Sequence, residues 1–180
     1  IYHTVQIGTQ CWLKENLYVG TRINGNLNQT NNSTIEKYCY NDDTVNCTIY
    51  GGLYQWNEAM QYVTNEGAKG ICPIGWHLPT LSEFETLKAN VNSDGNSLKA
   101  VGQGTGGGAG TNKSSFSAWL AGNNSFNSFY NLGSLTGLWG SQEFSMSYAS
   151  NLDLNDYNSG IYLFYGDFKE YGFSVRCIKD

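Results

Sequence analysis

Cys72-Pro73-Ile74-Gly75-Trp76-His77-Leu78-Pro79-Thr80-Leu81-Ser82-Glu83-Phe84 carries the sharpest structural punctuation in the chain. Pro73 and Gly75 frame a tight turn. Thr80, with Glu83 three residues later, is a capping-box pattern in which each side chain satisfies the other's free backbone amide. A helix is predicted from that point, with Phe84, Leu87 and Val91 on its buried face. Toward the N-terminus, Leu53, Trp56, Met60 and Val63 recur at helical spacing. Gln55, Asn57, Glu58 and Gln61 fall elsewhere on that cylinder, and Gly67 stops it. Toward the C-terminus no helix is expected beyond Asn92. Phe116 to Leu120, Leu138 to Ser141, Tyr148 to Leu154, Ile161 to Tyr165 and Gly172 to Ile178 read as short strands separated by Asn, Ser, Gly and Asp. Tyr2 to Ile7 and Cys11 to Leu13 suggest a hairpin around Gly8-Thr9-Gln10, and the Asn-rich stretch Thr21 to Thr34 reads as an exposed loop. With no recurring βαβ rhythm, the pattern predicts an α+β fold: two helices packed on a small twisted antiparallel sheet with long loops. The 180 residues are read as one domain, 1–180.

Charged residues make up only 14% of the chain, against about 25% in ordinary soluble domains, and polarity comes instead from Asn, Ser, Thr, Gly and 13 Tyr. Tyr and Asn supply contact area and adaptable hydrogen bonds, which suits a binding face as well as a loop-rich fold. A net charge of -5, with no Lys/Arg run, removes the counterion-release term that drives nucleic-acid affinity, so no nucleic-acid partner is expected. No stretch has the length of apolar residues that a membrane span needs. Because Ile1 opens directly on a strand pattern, any export signal, pilin-like helix or lipid anchor is expected upstream of it, and membrane association only through such an anchor.

Five cysteines are present, none in a CxxC pair, and only His3 and His77 stand beside them, so no structural metal site is expected. Cys39 and Cys47 flank the short polar loop Tyr40 to Asn46, which can turn back and let their sulfurs meet. Cys72 and Cys177 lie beside the Pro-Ile-Gly-Trp turn and the last strand, and bridging them would stabilise the fold by about 4 to 5 kcal/mol through loop closure. Cys11 is left over and expected as a small buried apolar residue. Two disulfides point to an oxidising compartment.

Gly102, Gly104 and Gly107 match GxGxxG, but the polar run Thr111 to Ser115 follows where a dinucleotide site needs a helix, and no Gly-Lys-Ser/Thr follows for a P-loop. No GxSxG elbow is present.

Four blocks taken together resemble the Fibrobacter succinogenes major paralogous domain family. They are Ile7-Gly8-Thr9-Gln10-Cys11-Trp12 with Glu15-Asn16-Leu17, Tyr50-Gly51-Gly52-Leu53-Tyr54-Gln55-Trp56, Cys72 to Pro79, and Gly172-Phe173-Ser174-Val175-Arg176-Cys177. The resemblance implies a C-type-lectin-like fold, related to the formylglycine-generating enzyme and to target proteins of diversity-generating retroelements, in bacterial proteins that are secreted or held at the cell surface. Trp12, Trp56, Trp76 and Trp119 are expected as apolar anchors, Arg176 in a buried charge-assisted bond, and His77 in a packing or hydrogen-bonding role.

By analogy with retroelement targets, the ligand-binding segment is Trp139 to Tyr171. The residues expected to serve it are Tyr148, Asn151, Asp153, Asn155, Tyr157, Asn158, Tyr162, Phe164, Tyr165 and Phe168. Such a mixture of aromatic faces and amides suits a surface protein or a glycan. No cofactor is expected in this reading. The alternatives are a lectin using calcium on the oxygen-rich run Asp153-Leu154-Asn155-Asp156-Tyr157-Asn158, which lacks the full EF-hand pattern and the Glu-Pro-Asn type of sugar signature, and the head of a pilin or fibre. Oxidase chemistry by analogy with the formylglycine-generating enzyme would need a reactive cysteine pair, and only Cys11 is unpaired, so no catalytic residue is assigned.

Overall fold

A computed structural model describes all residues 1–180. In chain order the strands and helices are β1 (Thr4–Ile7), β2 (Gln10–Leu13), β3 (Thr21–Arg22), β4 (Glu36–Lys37), α1 (Thr44–Tyr50), α2 (Trp56–Ala59), β5 (Trp76–His77), α3 (Leu81–Asn90) and α4 (Gly95–Leu98). Then follow β6 (Ala121–Ser125), β7 (Ser128–Leu132), β8 (Leu135–Glu143), β9 (Tyr148–Asn155), β10 (Tyr162–Phe168) and β11 (Ile178–Lys179). The fold is α+β, with few helices and several sheets. One sheet has the order β1-β2-β11-β5, the larger one β10-β9-β8-β6-β7, and β3 with β4 makes a separate parallel pair. The large sheet is antiparallel except where β6 meets β8.

The capping box forms as expected: Glu83 N–H donates to Thr80 Oγ1 at 3.2 Å, and Thr80 N–H donates to Glu83 Oε2 at 2.8 Å. α3 lies against β8, β9 and β10, burying Phe84 and Leu87. The N-terminal hairpin also forms, Thr4 opposite Leu13.

The helix expected through Leu53, Trp56, Met60 and Val63 is a single turn. Leu53 and Tyr54 are extended, bridging to Tyr38 and Phe173, and Gln61 and Tyr62 take φ of 52° and 61°. The cause is tertiary. Glu58, expected on the polar side, is buried and accepts hydrogen bonds from Glu36 N–H at 2.9 Å and Tyr62 Oη at 2.7 Å, which curls the chain away from a helix. Val63 is exposed. Two short helices stand where none was expected, α1 over residues read as the Cys39–Cys47 loop and its flank, and α4 beyond Asn92. Each opens on an Asp cap, the Asp43 carboxylate accepting from Val45 N–H and that of Asp94 from Asn96 N–H. Phe116 to Leu120 is not a strand, and Gly172 to Ile178 reaches strand geometry only at β11, although Phe173 and Ser174 form isolated bridges. The β6–β7 hairpin was unmarked because its turn is Phe126-Asn127, both at positive φ, a place where Asn or Gly is the usual signal. Within Thr21 to Thr34, Gln29 is buried and exchanges hydrogen bonds with Gln55, so this loop is tied to the body.

Two apolar clusters hold the elements. One gathers Trp12, Phe84, Leu87, Phe116, Leu138, Leu152 and Leu154. The other gathers Tyr54, Trp56, Met60, Trp139 and Phe173 around the Cys72–Cys177 disulfide. The second disulfide joins Cys39 to Cys47. Cys11 is free and half-buried rather than buried. Of the expected tryptophan anchors, Trp12 and Trp56 are fully buried, Trp76 is half-buried and Trp119 is 39% exposed; Trp139, not expected in that role, is the third fully buried one. Each buried indole N–H has a partner, Trp56 on Gly140 O at 2.8 Å and Trp139 on Tyr54 O at 2.7 Å.

Three of the four blocks meet at one junction, and the Cys72–Cys177 disulfide ties the fourth to the residue beside Arg176. Arg176, fully buried, donates to Asn16 Oδ1 at 3.0 and 2.8 Å and to Phe116 O at 2.5 Å, with its guanidinium 4.3 Å from the Phe116 ring. Asn16 in turn donates to Tyr50 O at 2.9 Å. Gly51 sits at φ 87°, where a Cβ would run into Asn16 Cβ, so only glycine lets these segments close. Burial draws the guanidinium down to about 9, with the Glu15 charge opposing. His77 has the hydrogen-bonding role expected, Nδ1 at 2.7 Å from Asp180 Oδ1 and Nε2 at 3.0 Å from Glu83 Oε1.

Candidate ligand-binding site

β9 runs between β8 and β10, and its alternation sorts the expected binding residues. Leu152 and Leu154 point into the first apolar cluster. The opposite face carries Asn151 and Asp153, which pair with Trp139 and Gly137 on β8 and with Phe164 and Tyr162 on β10, followed by Asn155 opposite Leu135. Asp153, Asn155, Tyr157, Tyr162 and Phe164 line a cleft of about 280 Å³, completed by Asn131, Ser134, Leu135 and Asp156. Thus half of the ten expected residues converge on one concavity.

The remaining residues do not join it. Asn151 is buried below the face. Asn155, although at the cleft wall, is also buried, and its Oδ1 accepts from Tyr157 N–H at 3.3 Å and Asn158 N–H at 3.1 Å, so it shapes the turn. The expectation of free amide contacts at these positions is corrected by that burial. Asn158, half-buried, accepts from Gly160 N–H at 2.7 Å and donates to Tyr162 Oη at 2.9 Å, which orients that ring. Tyr148, Tyr165 and Phe168 lie toward the other end of the sheet as an exposed aromatic patch, Tyr148 4.7 Å from Phe168 and Tyr165 5.7 Å from Phe144 between ring centres.

The floor of the cleft is electrostatically unusual. Asp153 is 9% exposed and has one hydrogen bond, from Asn151 Nδ2 at 2.7 Å. Burial first, then the neighbouring Asp167 charge, pushes its carboxyl up to about 7, with the Asn151 amide opposing. Burial raises Asp167 as well. A Cβ on Gly137 would lie 3.1 Å from Asp153 Oδ1 and 2.9 Å from the Phe173 ring, so glycine there keeps the carboxyl seated. No group of three or more His, Cys, Asp or Glu side chains is placed to hold a metal ion.

Sequence reasoning missed what holds the turn. Lys99, fully buried, donates from Nζ to Gly108 O, Asn155 O and Asn158 O at 2.5, 2.7 and 2.9 Å. The glycine-rich segment set aside as a chance nucleotide motif packs here, Thr105 N–H donating to Asp156 O at 2.8 Å, with no room for a Cβ on Gly108 against that same carbonyl. The available signal was a lysine between apolar neighbours in Leu98-Lys99-Ala100.

Two further clefts of about 260 Å³ lie elsewhere, one beside Trp119 and Tyr50, the other beside Phe168, Lys169 and Glu58. Neither collects the expected residues as the first does. Residues 5–179 match the family model described as the Fibrobacter succinogenes major domain. No curated protein and no solved structure matches the chain.

Proposed function

We infer that this chain, which belongs to the Fibrobacter succinogenes major domain family, is a binding domain of C-type-lectin-like fold, secreted or held at a bacterial cell surface. It takes a protein or glycan on the face of β9 and β10 and carries out no chemistry on it. The observation that carries this reading is the convergence of Asp153, Tyr157, Tyr162 and Phe164 on one cleft, with the aromatic patch of Tyr148, Tyr165 and Phe168 farther along the same sheet. Exposed aromatic faces on a rigid sheet bind with little loss of side-chain entropy. The two disulfides support an oxidising compartment, and no helix is long and apolar enough to cross a membrane. In a retroelement-diversified member, the exposed positions of β10 and the preceding turn are those that would vary, since the sheet hydrogen bonds tolerate any side chain there.

The test is a glycan array run beside a cell-surface protein screen, using the intact protein and a Tyr157→Ala, Tyr162→Ala variant. Ligands captured by the wild type and lost in the variant support the site. An unchanged ligand set places binding elsewhere and overturns it.

A further inference from the structure

Resting on the reading of the β9–β10 cleft as a ligand site, we propose that it accepts a slender organic ammonium group, as a lysine side chain of a protein partner presents. Asp153 meets the ammonium at the floor, and the rings of Tyr157, Tyr162 and Phe164 line its path.

The chemistry of the walls carries this. No Lys, Arg or His lines the cleft, whereas two carboxylates do, Asp153 at the floor and Asp156 at the rim. Ionised carboxylates only accept hydrogen bonds, and aromatic faces attract cations. Behind Asp153 stands a second acceptor without a donor: Asn151 is fully buried, and its Oδ1 has no partner. Asp153 itself receives one hydrogen bond where an ionised carboxylate has room for about four. A buried, under-donated carboxylate is an unfavourable arrangement unless it holds a proton or a cation completes it. Its low exposure also selects for shape, because a narrow alkyl chain reaches the floor where a substituted sugar ring meets the rim first.

The surroundings of Asp153 give a pH dependence. On β10 it faces Asp167 and Tyr162, on the following turn Asp156 and Tyr157, and on the β8 stretch Leu135 to Trp139 no titratable group. Lys99 lies behind the turn, near Asp156, and donates to carbonyls there. Since the Asp153 carboxyl holds its proton to about 7, the acceptor charge develops through neutrality, and cation binding strengthens from about pH 6 to about pH 8.

The experiment follows the amide chemical shifts of the cleft residues while intact protein is titrated with Nα-acetyl-lysine methylamide. Parallel titrations use the norleucine analogue, glucosamine and calcium chloride. The expected result is saturable shifts at Tyr157, Tyr162 and Phe164 with the lysine compound, about tenfold weaker binding of norleucine, and a similar loss in Asp153→Asn. Asp156→Asn, at the half-buried rim, gives a second and smaller loss, read alongside its melting temperature because Asp156 also faces Lys99. Equal binding of lysine and norleucine compounds keeps the cleft as a ligand site but overturns the cation inference. Glucosamine or calcium binding there more tightly than the lysine compound overturns it in favour of a glycan amine or a metal ion. Absence of shifts in the cleft with every probe overturns this inference, while ligand capture in the array and screen still decides the site reading separately.

Discussion

The Arg176 junction and the Asp153 cleft both bury a charge, and they treat it in opposite ways. At the junction, each of the three guanidinium nitrogens donates to a partner, Nε and Nη2 to Asn16 and Nη1 to Phe116 O, and the neighbouring Cys72–Cys177 disulfide closes the assembly. At the cleft, a carboxyl is buried beside another acid, with one amide to serve it. A saturated buried charge fixes a structure; an unsaturated one stores an unmet interaction. The difference separates scaffold from site without any appeal to a ligand.

The comparison breaks most visibly at the junction. Replacing Cys72 and Cys177 together by Ser should cost about 4 to 5 kcal/mol, because the bridge closes a long loop. Asn16→Ala should cost about 3 to 5 kcal/mol, since it strips the guanidinium of its side-chain partner while leaving the charge buried. Urea denaturation checks both. A loss below about 1 kcal/mol in either would mean the junction is not the hub of the scaffold.

The link between the regions is Lys99. Lys99→Met should cost about 2 to 3 kcal/mol by leaving three carbonyls without their charged donor. The damage should be local: hydrogen exchange should accelerate at Asn158 and Thr105 far more than at β2 or β11. Uniform acceleration would instead make Lys99 part of the scaffold.

How much of this was legible follows the same division. The capping box and both disulfides rest on local signals or on spacing, and the buried bond of Arg176 on a block that carries the family resemblance; they appear as expected. The helix expected through Leu53, Trp56, Met60 and Val63 failed because Leu53 is buried in an extended bridge to Tyr38 while Trp56 and Met60 join the cluster around the Cys72–Cys177 disulfide, and periodicity does not distinguish this from a helix. The strand Ala121-Gly122-Asn123-Asn124-Ser125 was invisible because amides and hydroxyls have low strand propensity; its burial is made possible by long-range bonds such as Asn124 Nδ2 to Gly25 O at 3.0 Å. In the site, the segment and its aromatic positions were expected by analogy with retroelement targets, whereas the buried roles of Asn151 and Asn155 depend on which face of β9 is covered. That face is decided by β8 and β10, distant in sequence.

The smallest expected effect sharpens the comparison most, because it has the opposite sign. Unfolded, Asp153 ionises in the ordinary carboxylate range; folded, it holds its proton to about 7. Between those values the folded state binds the extra proton. The stability Asp153 contributes is therefore fully present below the unfolded value, is lost as pH rises through about 7, and stays lost above it. Asp167, raised by burial, adds to the same slope. Asp153→Asn keeps the shape and removes the charge, so at pH 8 the variant should be more stable than the wild type by on the order of 2 kcal/mol, and at about pH 4 nearly equal to it. Thermal melting across that pH range checks this. Parallel curves would show that the carboxyl is not strained, and the cleft would then lose its distinction from the junction. A gain in stability together with a loss of lysine binding would mean that Asp153 is kept charged at the expense of the fold, which is the mark of a residue serving a ligand.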